Sequence, residues 1–241
     1  MEEKEVNIGD AAKILGVTIQ TLRNWDISGK FPAKRSAGGT RYYFMSDVTR
    51  FNADLPLLGW AWATSAQPPE LPSEYYCERQ DRFTSRLEGK MVPVLLGAAI
   101  PEDIVSLLVQ MTGEIGDNSF AHNGANWPDV PGIFFAYDTN KRVIVLADRG
   151  QGVRSTLRRV RPELETDSDA LRVAFTEIVS GRSPEKRGNG LKVVRRVAES
   201  VPIGLQYRSG LGVVLIPGPP GLMKIGTTAE NVRGTYAVIT Y

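Results

Sequence analysis

A chain of 241 residues, 42% of them apolar, is long enough for one large domain or two smaller ones, each with its own core. Its 29 basic and 27 acidic residues nearly cancel, so the net +2 gives no general attraction for nucleic acid, and any such affinity must rest on local charge. The single cysteine, Cys77, excludes an internal disulfide framework, the charged opening MEEKEVN lacks the apolar centre of a signal peptide, and the longest apolar stretch, 92–100, is far short of the ~20 residues of a membrane helix; a cytoplasmic protein with no membrane partner is expected.

Residues 6–52 read as a compact unit of short helices. Asp10 is placed to cap a helix through Lys13–Leu15 that Gly16 ends, and Thr18 to cap a second, TIQTLRNWD. Ala11, Ala12, Ile14, Leu15, Val17, Leu22 and Trp25 supply the apolar faces that pack the two together, which is the helix-turn-helix plan. On the second helix Gln20, Arg23 and Asn24 should face outward, and they are side chains that can read base edges. In the following GKFPAKRSAGGTRYY, Gly38-Gly39 forms a tight turn between two short strands, flanked by Lys34, Arg35 and Arg41 with Tyr42 and Tyr43 beyond. A basic hairpin beside a recognition helix is a wing that grips phosphates. Between Val6 and Asn52 seven basic residues stand against three acidic ones, so this unit is basic although the chain is not.

The run AAKILGVTIQTLRNWDISGKFPAKRSAGGTRYY, with its order of LGV, TLRNW, basic turn and GG-R-Y, resembles the winged helix of the MerR family, also seen in excisionases and some resolvases. The resemblance covers residues 1–52 and implies double-stranded DNA as the partner. It implies Thr18, Gln20 and Arg23 at the major groove and Arg41 and Tyr42 at the backbone, with Lys34 and Arg35 in the wing. MerR regulators usually continue into a long dimerising coiled coil. Here residues 53–74 hold four prolines with Trp60 and Trp62 and read as a linker that docks on something, so a homodimer would have to form through the C-terminal domain.

Residues 75–241 alternate helical and strand patterns. Tyr75, Tyr76, Phe83 and Leu87 suggest a helix, with Cys77 a buried thiol among them. Ile104, Leu107, Leu108, Met111 and Ile115 mark an amphipathic helix with Pro101 at its start. Strands are expected at 133–137 and 142–147 around a DTNK turn, helices at 169–180 and 191–200, and strands at 203–207, 212–216 and 235–241. The Pro- and Gly-rich run between the last two strands reads as a loop. The class is α+β.

Three motifs follow one another on these elements. Glu114 and Asn118, four apart on the amphipathic helix, share a polar face; an Asn oxygen suits Mg²⁺, and a Glu beside it can take a proton from water. Asp148-Arg149-Gly150-Gln151-Gly152 ends the strand VIVLA, where a carboxylate can accept from an exocyclic amine and the glycines let backbone approach a ligand. Gly188-Asn189-Gly190-Leu191-Lys192 opens a helix, and glycines before a helix N-terminus form an anion site. Between the second and third motifs Arg154, Arg158, Arg159, Arg161, Arg182, Lys186 and Arg187 form a basic stretch able to act as a lid over phosphates.

In this order, E-x-x-x-N, D-x-G-x-G and G-x-G-L-x resemble the GHKL ATPases, the gyrase, chaperone and histidine-kinase family, over about residues 90–241. The resemblance implies a Bergerat-type sandwich, a mixed, mostly antiparallel sheet with helices on one face, with ATP and Mg²⁺ as cofactors. It implies Asn118 on Mg²⁺, Asp148 on the adenine amino group, Gly150 and Gly152 shaping the base pocket, Gly188, Gly190 and Lys192 at the phosphates, and Glu114 as general base. The one histidine, His122, lies on the Glu114 helix and not on a dimerising hairpin, which argues against a typical histidine kinase; the helix-end position suggests a partly exposed residue. The expected function is an ATP-binding DNA regulator, an ATPase by hydrolysis or phosphoryl transfer. The alternative is a serine/threonine kinase of anti-sigma-factor type acting on a regulatory protein partner.

Overall fold

The computed structural model describes residues 3–124, 126–178 and 189–241. They form two compact units, Met1–Asp54 and Leu55–Tyr241.

The first unit carries β1 (Glu5–Asn7), α1 (Ile8–Ile14), α2 (Ile19–Ile27), β2 (Lys34–Arg35), β3 (Arg41–Phe44) and α3 (Met45–Asn52). Its sheet is antiparallel, in the order β1-β3-β2. Asn7, not Asp10, caps α1: its side chain accepts from the Asp10 backbone N–H at 2.9 Å, which moves the helix start three residues upstream and leaves Asp10 in the first turn. Thr18 caps α2, accepting from Thr21 N at 3.0 Å. Gly16, at φ +64°, makes the turn between the helices. Val6, Ala11, Ala12, Leu22, Phe31, Tyr43 and Val48 fill the core, with Phe31 stacked on Tyr43 at 4.8 Å.

The second unit begins inside the stretch expected as a linker. Leu55–Thr64 is a helix, α4, and Leu55, Gly59, Trp62 and Ala63 on it are buried. Then come β4 (Tyr76–Cys77), α5 (Gln80–Arg86), a π-helical turn (Leu87–Met91), α6 (Val92–Gly97), α7 (Glu102–Asn123), β5 (Ile133–Asp138) and β6 (Val143–Asp148). After them run α8 (Gly152–Leu157), α9 (Asp167–Thr176), α10 (Gly190–Ser200), β7 (Gly204–Ile216) and β8 (Lys224–Thr240). Tyr75 and Tyr76 therefore belong to a strand and its approach, and the helix predicted to hold them starts only at Gln80. The basic stretch expected as a lid is partly helical: α8 and α9 lie in it and bury Leu157, Ala170 and Val173 in a small core of their own with Leu164.

The five-stranded sheet has the order β4-β5-β6-β8-β7, and every pairing among the described residues is antiparallel, so the sheet is not mixed. One face carries Ile133, Phe135, Ile144, Leu146, Ala237 and Ile239 against Leu108, Met111 and Ile115 of α7 and Leu191, Val194 and Ala198 of α10. The opposite face carries Phe134 and Val145, and α4 lies on it. A Cβ on Gly59 would fall 2.7 Å from Val145 Cγ1 and 3.2 Å from Phe134, so only a glycine lets the helix come this close. Trp60 meets Tyr236 edge-on at 5.3 Å, and Tyr236 donates to the Pro56 carbonyl at 3.0 Å. Helices thus cover both faces, not the one expected. This explains why β6 is buried at every position and shows no polar alternation.

The run read as a loop before the last strand contains the first half of β8. β7 does not run straight. A 13-residue strand would separate its ends by about 40 Å, yet a Cβ on Gly204 would lie 3.6 Å from the Ile216 carbonyl oxygen. The chain doubles back where the register breaks, between Ser209 and Gly212, with Gly210 at φ +59°.

Cys77 is fully buried, Arg86 donates to its sulfur at 3.0 Å, and burial holds the thiol above its ordinary pKa against the pull of that guanidinium. Ellman's reagent should leave the folded protein untouched and titrate one thiol on denaturation; rapid native reaction would contradict this packing.

Candidate functional site

In the first unit α2 presents Gln20, Arg23 and Asn24 as exposed side chains beside the buried Leu22. Gln20 Nε2 donates to Asn24 Oδ1 at 3.1 Å, which fixes the two amides relative to each other. The Thr18 hydroxyl is engaged in the cap and lies 2.9 Å from Thr21 Oγ1. In the hairpin, Lys34 stands opposite Tyr42 and Arg35 opposite Arg41. Gly39 takes φ +77° in the turn and its N–H donates to the Ser36 carbonyl at 2.9 Å. The Lys34 ammonium lies 5.7 Å from the Phe44 ring centre, and Tyr42 packs edge-on to the same ring at 5.8 Å. Arg35 and Arg41 both donate to Asp26 Oδ2, at 2.8 and 2.6 Å, while Asp26 Oδ1 accepts from Ala33 N at 2.9 Å. These donors, the Ala33 N–H foremost, hold the Asp26 carboxyl below the usual carboxylate range. The acid was legible only as one of three in this segment; its partnership with two wing arginines lies across sequence distances of 9 and 15.

In the second unit a cavity of about 860 Å³ opens between α5, α7, the end of β6 and the start of α10. Glu114, Asn118, Asp148, Gly152 and Gly190 all line it, as does His122. Asp148 ends β6 almost wholly buried; its Oδ2 accepts from Ser119 Oγ at 2.7 Å and Thr235 Oγ1 at 2.5 Å, and its Oδ1 from Gly150 N at 2.8 Å. Burial raises its pKa, and the donors from Thr235, Ser119 and Gly150 work against that rise. Ser119 is one residue past Asn118, and Thr235 comes from β8, so the sequence motifs did not include them. Tyr207 also lines the cavity, its hydroxyl pushed above its ordinary pKa by burial and the neighbouring Asp148 charge.

The glycines have separate reasons. Gly152, at φ +76°, starts α8, and the next N–H, of Val153, donates to Ser209 Oγ at 2.9 Å. Gly150 is not among the lining residues: a Cβ there would collide with the Asn123 amide, whose Oδ1 accepts from Gln151 N at 2.8 Å. Its missing side chain lets the loop close on the last turn of α7. A Cβ on Gly190 would collide with Glu114 Oε2 and lie 3.3 Å from Asn118 Nδ2, so the start of α10 sits directly against the Glu114–Asn118 face. Lys192 is turned away. It is buried, donates to the Glu177 carbonyl and is not among the lining residues, and burial lowers its pKa. Gly188, Arg182, Lys186 and Arg187 lie outside the described residues. Arg154 pairs with Asp167 at 3.1 Å, Arg159 donates to Gln151 Oε1 at 2.5 Å, and Arg161 pairs with Glu163 and Glu177.

Arg149, between two motif residues, has the opposite role to Asp148. Fully buried, it donates to Asp129 Oδ2 at 2.7 Å through Nε and to the carbonyls of Trp62, Ser65 and Ala66 at 2.5, 3.0 and 3.4 Å. Trp62 lies in the last turn of α4, where helix oxygens lack partners and the dipole is negative, and Ser65 and Ala66 follow directly after the helix.

The basic β2–β3 hairpin is thus tied to the end of the second helix of a helix-turn-helix through Asp26. Residues 7–43 match the model of the MerR family regulatory proteins. A search of curated proteins found no match to the chain. Among the described residues no helix is long and apolar enough to cross a membrane.

Proposed function

We propose that this protein is an ATP-responsive DNA-binding regulator, its second unit a nucleotide-binding domain of the GHKL type with a Bergerat-type sheet. The observation that carries the reading is the gathering of Glu114, Asn118, Asp148, Gly152 and Gly190, from three separate stretches of sequence, around one cavity. The cavity is within the usual range for a cofactor site, about 300–1,000 Å³. Its residue types also fit the cofactor. Asp148 presents a carboxylate oriented by two hydroxyls and an N–H, suited to accept from an exocyclic amine. Asn118 offers an amide oxygen for Mg²⁺ carried on phosphate oxygens. Gly190, with no side chain at the start of α10, leaves helix N–H groups next to that amide. Bound ATP would supply a phosphoryl group activated for transfer; Glu114 stands beside the same helix start to take a proton from the attacking hydroxyl or water.

In the first unit, DNA binding through α2 and the wing is supported by the MerR match and by the exposed Gln20 and Arg23. Nucleotide alters DNA or partner affinity only by binding two states of the protein unequally.

Calorimetry with a non-hydrolysable ATP analogue and Mg²⁺ tests the pocket. The wild type should bind. Asp148→Asn should weaken binding by about tenfold to a hundredfold, the equivalent of ~1.5–3 kcal/mol for a hydrogen bond to a charged group. No heat from the folded wild type would remove the nucleotide reading and leave a DNA-binding protein with a structural second unit.

A further inference from the structure

Two arginines on adjacent strands share one carboxylate oxygen. Arg35 and Arg41 are direct cross-strand partners in the β2–β3 hairpin, and both reach Asp26 Oδ2 from the wing to the penultimate residue of α2. Asp26 is held from a third side by the Ala33 N–H, and its side chain is 9% exposed against 48% for Arg35 and 27% for Arg41. One negative charge therefore faces two positive ones, and the arginines remain the open side of the cluster. The named bonds use Nη2 of Arg35 and Nε of Arg41. The remaining N–H groups of each planar fork match the geometry of a phosphodiester.

From this arrangement we infer that Asp26 is a positioning residue for DNA: it orders Arg35 and Arg41 as a joint clamp for one backbone phosphate beside the recognition helix. The inference rests on the DNA-binding reading of the first unit. Long guanidinium side chains lose rotamer freedom when they bind, and a carboxylate that orders them beforehand removes that cost from association.

The sign of the effect separates positioning from simple charge. Through space alone, removing an acid near the DNA face should tighten binding to a polyanion and leave the arginine contacts in place. If Asp26 acts by positioning, its loss weakens binding.

The test uses the full-length chain and a fluorescein-labelled mixed-sequence DNA duplex, followed by anisotropy over a range of KCl concentrations. Asp26→Asn keeps an oxygen for Ala33 N but loses the charge. It should weaken binding about tenfold and make the slope of log affinity against log salt shallower by about one contact. Asp26→Glu, which restores the carboxylate, should recover much of that slope. In an Arg35→Ala, Arg41→Ala background, Asp26→Asn should change the slope no further. A thermal melt of each variant accompanies the titration, because a purely structural role lowers the melting point yet leaves the slope of the folded protein unchanged. Equal or tighter binding by Asp26→Asn at an unchanged slope overturns the inference, as does an undiminished effect in the double-alanine background. A wild type with no salt-dependent duplex binding removes the DNA reading itself, and the inference with it.

Discussion

Replacing Arg149 by alanine should lower the stability of the second unit by about 3–5 kcal/mol, the usual cost of breaking a buried ion pair from one side. The guanidinium is fully buried and joins three things at once: the Asp129 carboxylate, the end of β6, and carbonyls in the last turn of α4 and just after it. Among the described residues alanine would leave Asp129 the longer contact from Arg233 at 3.6 Å, and it would strand the Trp62 carbonyl at the negative end of α4 and those of Ser65 and Ala66 just beyond it. For a unit of this size each kcal/mol moves the melting point by about 2–4 °C, so a fall on the order of 10 °C is expected. Arg149→Lys keeps the charge but not the fork and should fall between the two. Circular-dichroism melts of the three proteins decide the matter. A melting point unchanged in Arg149→Ala would show that α4 is held by its apolar face alone, and one equally low in Arg149→Lys would show that the charge without the fork contributes nothing.

Glu114→Ala should reduce ATP turnover by about a hundredfold to ten-thousandfold, the range for loss of a general base, with analogue affinity little changed. Three features lead to this expectation. Glu114 lines the cavity, lies one helical turn from Asn118, and stands against Gly190 at the start of α10. It is not one of the donors or acceptors that hold Asp148, so its removal leaves the base-binding wall standing. Turnover is read as released phosphate and as label transferred to protein, with affinity measured in parallel by calorimetry. Undiminished turnover would dismiss Glu114 as the base. Label appearing on a serine or threonine of another protein would favour the kinase alternative over hydrolysis. Loss of affinity together with turnover would mean that Glu114 acts in binding.

The elements whose determinants are local agree with the sequence reading. Thr18 caps α2 because its hydroxyl needs only the N–H three residues on. The stripe of Leu108, Met111 and Ile115 buries one side of α7 through helical periodicity alone. The turn between β5 and β6 forms because the Asp138 side chain accepts from the N–H groups of Asn140 and Lys141. Where competition between near neighbours decides, the reading slips. Asn7 takes the cap assigned to Asp10 because it too presents a side-chain oxygen, three residues earlier. The prolines and glycines of 217–234 obscured β8, whose first half is held by β7 and not by its own propensity.

By itself the sequence determined which residue types stand at the candidate sites and on which elements: a basic, glycine-turned wing after a capped helix, and Glu114, Asn118, Asp148 and Gly190 on helix, strand end and helix start. Only the tertiary structure decided what each one faces. It drew residues 55–64 out of the expected linker and onto the second face of the sheet, because the apolar run 143–147 of β6 needs cover on both sides. It turned Lys192 away from the cavity toward Glu177, brought Ser119 and Thr235 onto Asp148, and set Arg35 and Arg41 on Asp26. Helical and strand periodicity are set within a few residues, whereas a buried charge takes whichever partner the packing brings within about 3 Å, and that partner can come from anywhere in the chain.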